Sequence, residues 1–172
     1  MRIKWFSLIR ITGLLFVLLY HFFQTIFPGG FFGVDVFFTF SGFLITALLI
    51  EEFSKNHEID LVGFFRRRFY RIVPPVVLMV LVTMPFTFLV RQDYVAGIGG
   101  QIAGVLGFMT NFYELLTGGS YESQFIPHLF VHNWSLAVEV HYYILWGLAV
   151  WFLSKRADFY EERFPWPIWV MV

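Results

Sequence analysis

His21 lies eleven positions after Arg10 in a single apolar run. In a helix, eleven steps of about 100° bring the ring back to within roughly 20° of the guanidinium's face, about 16 Å further along. Ionisable groups inside a bilayer are costly, so they usually face a partner, a cavity or a reaction path. Asp35 and Glu139 add carboxylates in two further apolar runs. A histidine beside a carboxylate suits removal of a proton from a hydroxyl, because the carboxylate orients and charges the ring. Arg66, Arg67, Arg68 and Arg71 form a cationic cluster between those runs. Arginine pairs bidentately with phosphate, so the cluster suits a phosphate-bearing donor.

These residues need a bilayer scaffold. The 172-residue chain is 58% hydrophobic, 22% aromatic and only 14% charged, whereas a soluble domain carries nearer a quarter charged residues. Its mean hydropathy is positive, at +0.69. Formal net charge is zero, which gives no electrostatic footprint for nucleic acid. The lack of cysteine excludes disulfides, a thiolate nucleophile and thiolate metal ligands. The chain therefore reads as an all-α integral membrane protein with about four transmembrane helices.

The spans fall at about 5–27, 34–50, 72–90 and 134–154, and 157–172 reads as the start of a truncated span. The first is too long for a cleaved signal core and has no small-residue cleavage site behind it. Between the second and third, Leu61, Phe64, Phe65 and Phe69 are spaced for an amphipathic helix on the membrane surface. Pro74-Pro75 suit the first turn of the third span. The Gly-rich, uncharged stretch 96–113 reads as a re-entrant or interfacial helix. If it does not cross, every Lys and Arg except Arg91 falls on the side of the N-terminus, which the positive-inside rule makes cytoplasmic. The expected location is the cell membrane, multi-pass, with an outer chamber near His21 and a cationic inner mouth.

Four ordered stretches resemble the membrane acyltransferases of type three. Arg10 and His21, separated by ten residues, resemble the first-span signature, and GVDVFFTFSGFLI (33–45) resembles the motif that follows it. Arg68-Phe-Tyr-Arg71 before Pro74 resembles the inner arginine motif. NWSLAVEVHYY (133–143) is similar to the family's Trp-Ser-Leu-x-x-Glu block with its paired aromatics. The resemblance implies an enzyme that transfers an acyl group, usually acetyl, from acyl-coenzyme A to a hydroxyl of an exported cell-envelope glycan. The wording is closest to bacterial peptidoglycan O-acetyltransferases, which act on muramic acid. By position, Arg10, His21 and Asp35 match the catalytic region, Arg68 and Arg71 the donor-binding motif, and Glu139 with Trp134 the later block.

The same resemblance implies that the chain is the front part of a bundle of roughly ten spans, each long enough to cross the bilayer. A further C-terminal membrane part and a secreted esterase-like domain are then implied partners. The competing reading is a non-catalytic truncated membrane fragment or assembly partner that lacks the later helices.

Each residue also has a plainer role to set beside the chemical one. His21 could act as general base or receive the acyl group first, or be a hydrogen-bonded interior histidine. Arg10 could anchor the inner edge. Asp35 could cap the second span as well as serve catalysis, and the arginine cluster could hold anionic lipid headgroups. Ser41-Gly42 reads as a helix-packing point rather than an acyl carrier. His128 and His132 stand four apart, but Leu129, Phe130 and Val131 between them offer no general base and Pro127 disfavours a helix, so no metal is expected.

Overall fold

The computed structural model describes residues 4–23, 25–89, 95–117 and 128–161. Every regular element among them is helical, and the chain divides into two compact units, 1–58 and 59–172. Three helical stretches, Pro28–Asn56, Leu61–Thr87 and Val131–Arg156, are long and apolar enough to cross a membrane, and a shorter apolar stretch covers Ile11–Phe22. Large apolar side chains such as Leu14, Leu15, Phe43, Leu78, Leu81 and Leu153 are exposed. So much exposed apolar surface suits lipid rather than water. The protein is an all-α membrane protein.

The first unit is a helical hairpin. Helix α1 (Lys4–Phe22) leads through the 3₁₀ turn Pro28–Phe31 into α2 (Phe32–Asn56). The turn starts at the proline, whose missing N–H costs nothing there. The buried residues of α2 are Gly33, Ser41, Ile45 and Leu49, which recur at multiples of four on one face. The two helix backbones touch at glycine. A Cβ on Gly33 would stand 2.5 Å from the Gly13 carbonyl oxygen and 2.9 Å from Val17 Cγ2. Small residues at such crossings let backbones approach closely in a bilayer. Ser41 belongs to this same buried face.

The second unit begins with α3 (Leu61–Thr83), whose N-cap is Asp60: its Oδ1 accepts from the Gly63 N–H at 2.8 Å. The amphipathic stretch and the following apolar run are thus one helix, and Pro74-Pro75 lie inside it rather than at its first turn. Proline is better tolerated inside membrane helices, where neighbouring groups take up the freed carbonyls. After the 3₁₀ turn Met84–Leu89 come two short helices, α4 (Ile98–Leu106) and α5 (Thr110–Thr117). At 1.5 Å per residue they are about 13 Å and 12 Å long, against an apolar layer of about 30 Å. Neither crosses. The unit closes with a 3₁₀ turn, Val131–Asn133, and α6 (Trp134–Glu161).

The core of this unit contains Val76 and Val80 of α3, Val105 of α4 and Phe130, with Ile72, Met79, Ile102 and Leu136 packed against it. Gln101 is 1% exposed and ties the short helices to the approach to α6. Its Nε2 donates to the Ala96 carbonyl at 2.8 Å, while its Oε1 accepts from the Phe130 N–H at 3.3 Å.

Candidate functional site

The hairpin carries His21 and Asp35 at one end. His21 sits in the last turn of α1, exposed, with Nδ1 2.9 Å from the Val17 carbonyl oxygen. A carbonyl only accepts, so that contact puts a proton on Nδ1. The end of the hairpin is fastened by Tyr20. Its ring meets Phe31 edge-on at 6.2 Å, and a Cβ on Gly30 would stand 2.8 Å from Tyr20 Cβ. Asp35 is exposed in the first turn of α2. The N-cap position belongs to Phe31 and carries no side-chain cap bond, so Asp35 does not cap in the way its place near the helix start suggested. Arg10 lies on α1 as expected, and its side chain falls outside the described residues.

In the second unit α3 and α6 join Arg68 to Glu139 through Tyr143. Gly147 lets α3 come close, since a Cβ there would stand 3.0 Å from Phe64 Cε1. One turn along, the Arg68 guanidinium carbon lies 5.6 Å from the Phe64 ring centroid and 5.6 Å from that of Tyr143. A cation over a ring face is attracted by the ring quadrupole, by about 0.5–2 kcal/mol depending on desolvation. Tyr143 is 7% exposed, and its hydroxyl donates to Glu139 Oε1. Arg66, Arg67 and Arg71 are exposed, whereas Arg68 is half-buried. The four arginines therefore do two things: three face outward, and one is drawn between two helices.

A third polar group lies in the same unit. His128 Nδ1 is 2.8 Å from Glu114 Oε2, the side chains being 14% and 8% exposed. The His128 ring also leans on Tyr113 at 5.5 Å between centroids. Tyr113 in turn lies against the glycines that begin α4: a Cβ on Gly100 would stand 2.8 Å from its Cε2. Among the described residues no group of three or more His, Cys, Asp or Glu side chains could hold a metal ion.

Of the residues singled out in the sequence, His21 and Asp35 lie in the first unit with Arg10, and Glu139, Arg68 and Arg71 in the second. The structure brings Arg68 to the partner of Glu139. It adds three residues that sequence reasoning did not select as functional: Tyr143, Glu114 and Gln101. Tyr143 was legible only as one of two paired aromatics. Glu114 carried a faint signal, as a single carboxylate followed by Leu115 and Leu116 in an otherwise uncharged stretch.

Residues 3–160 match the family of the acyltransferase domain. The O-acetyltransferase OatA of Staphylococcus aureus, strains NCTC 8325 / PS 47 and COL, is 32% identical over 148 residues, which is 86% of this chain and 24% of the relative. A second protein of strain COL that carries an O-acetyltransferase name is 33% identical over 142 residues, 83% of this chain and 24% of its own length. This chain thus spans about a quarter of the length of the curated relatives it matches. No solved structure matches.

Proposed function

This chain belongs to the type-three membrane acyltransferase family, and from that premise we propose that it carries the donor-binding and base residues of a membrane O-acyltransferase. The observation that carries the reading is the family match across 3–160, which includes all six residues singled out in the sequence. The donor is acyl-coenzyme A, most simply acetyl-coenzyme A. The acceptor is a hydroxyl of an exported cell-envelope glycan, with the muramic acid of peptidoglycan as the leading candidate. The N-terminus is cytoplasmic, which keeps the arginine cluster on the donor's side.

Three exposed guanidiniums, Arg66, Arg67 and Arg71, fit the phosphates of coenzyme A. Arg68 connects that surface to Tyr143 and Glu139. In this reading the reacting atom of His21 is Nε2, and its other ring nitrogen donates to the Val17 carbonyl. That nitrogen either takes the proton of the acceptor hydroxyl or attacks the acyl carbon and carries the group, with Asp35 tuning the ring in both routes. The sulfur of coenzyme A leaves with the electron pair of the broken acyl bond.

The test is transfer of labelled acetyl from acetyl-coenzyme A to a glycan acceptor by the protein in vesicles, with His21→Ala alongside. Transfer that needs His21 supports the proposal; transfer that survives its loss removes His21 from the chemistry. A second reading, a non-catalytic membrane part that works only with further helices, draws support from the 24% coverage of the relatives. It predicts no transfer by this chain and transfer once a longer version is supplied.

A further inference from the structure

The acyltransferase reading assigns no role to His128, which a buried carboxylate holds. We propose that the base that takes the proton from the acceptor's sugar hydroxyl is His128 with Glu114, in place of His21. The inference rests on the acyltransferase reading and deepens it.

Four observations support it. First, the carboxylate of Glu114 faces Nδ1 of His128 at 2.8 Å. A carboxylate accepts from it, so Nδ1 carries a proton, and in the neutral ring Nε2 is then the basic nitrogen. This is how a carboxylate sets the tautomer of a catalytic histidine. Second, the burial is graded: the carboxylate is 8% exposed and the imidazole 14%, which keeps the anion from water while part of the ring stays reachable.

Third, the ring cannot drift. Tyr113 flanks it at 5.5 Å, and two residues on the Phe130 N–H is held by Gln101. Among the described residues the titratable groups facing the ring are Tyr113 and Glu114, both from α5, while His141 of α6 lies against Phe112. Fourth, the surroundings retain polar capacity. Thr110 and Asn111 lie four and three residues before Glu114 on α5, and Thr110 Oγ1 and Asn111 Oδ1 are buried with no hydrogen-bond partner among the described residues. A buried polar group left unpaired costs about 1–3 kcal/mol.

The step balances. The hydroxyl oxygen attacks the acyl carbon and forms the ester C–O bond. The bond from that carbon to its carrier atom breaks, with the electron pair going to the carrier. The hydroxyl proton moves to His128 Nε2 and from there to the carrier, so the pair ends as it began. Glu114 is a positioning residue in this scheme and His128 a catalytic one.

The test compares wild type, His128→Asn, Glu114→Gln and His21→Ala in vesicles, with acetyl-coenzyme A and a peptidoglycan oligosaccharide. Asparagine keeps a donor for Glu114 and removes only the basic nitrogen. His128→Asn is expected to lower kcat by about 100-fold or more, with the acceptor KM nearly unchanged. Glu114→Gln, which still accepts from Nδ1, is expected to lose less. Nitrogen-15 spectra, assigned by loss of the signal in His128→Asn, should show Nε2 unprotonated in the wild type and a mixed tautomer in Glu114→Ala.

Wild-type kcat in His128→Asn, with His21→Ala inactive, overturns the inference and leaves the acyltransferase reading standing. Loss in both dyad variants with a lowered melting temperature and no change of tautomer assigns the pair to folding and also overturns it. A wild type that transfers nothing overturns the acyltransferase reading and this inference with it.

Discussion

His21 and His128 are held by different kinds of partner. His21 donates to a carbonyl of its own helix, four residues back, and its ring is exposed. His128, which lies outside any helix, donates to a carboxylate of α5, and both side chains are mostly covered. A backbone carbonyl fixes a tautomer and supplies no charge, whereas a carboxylate fixes the tautomer and also stabilises the imidazolium that forms when the ring takes a proton. The comparison teaches that a histidine can look catalytic for two separable reasons. One is its place in a motif, and the other is what it touches.

Variants can break or sharpen this contrast. The largest expected effect is that of His21→Ala, with transfer of labelled acetyl falling by about 10³-fold or more while membrane insertion is unchanged. His128→Asn should follow, at about 100-fold in kcat. If the two variants lose the same factor and the double variant loses no more, the rings act as one unit; multiplying losses make their contributions independent.

Tyr143→Phe sharpens the comparison from the other helix pair. It removes the hydroxyl that donates to Glu139 and keeps the ring beside Arg68. Bonds to charged groups are worth about 1.5–3 kcal/mol, so kcat should fall by about tenfold or more if Glu139 acts in transfer. Tyr143→Leu, which also loses the ring face, should fall further.

The smallest effects separate two aspartates at helix starts. Asp60→Ala should destabilise the second unit by about 1 kcal/mol, because its side chain caps α3. Asp35→Ala should change thermal stability by less than about 0.5 kcal/mol, since no cap bond is lost. A clear loss of transfer with that small change in stability would assign Asp35 to the chemistry.

The helices themselves were legible because their cause is local. Apolar runs long enough to cross a bilayer announce α2, α3 and α6, and Pro28-Gly29-Gly30 announces the hairpin turn. Ser41 was legible as a packing residue, and it lies on the buried face of α2. The stretch 96–113 read as one re-entrant or interfacial helix, and the structure has two short helices there, broken between Leu106 and Thr110. The reach of α3 was not legible either. Pro74-Pro75 mark a helix start by local rules, yet α3 begins at Leu61, where Asp60 caps it.

The sequence by itself determined that this is an all-α membrane protein, which acyltransferase family it resembles, and which residues are the first to suspect. Composition and motif order are properties of the chain, and the bilayer's thickness and polarity convert them directly into helices. The tertiary structure alone decided that Arg68 lies beside Tyr143 while Arg71 stays exposed, that the N-cap of α2 is Phe31 rather than Asp35, and that Glu114 meets His128. Those pairings join residues 75, 14 and other intervals apart along the chain. They depend on how helices cross and on where a polar atom finds a partner away from water, and no local spacing encodes either.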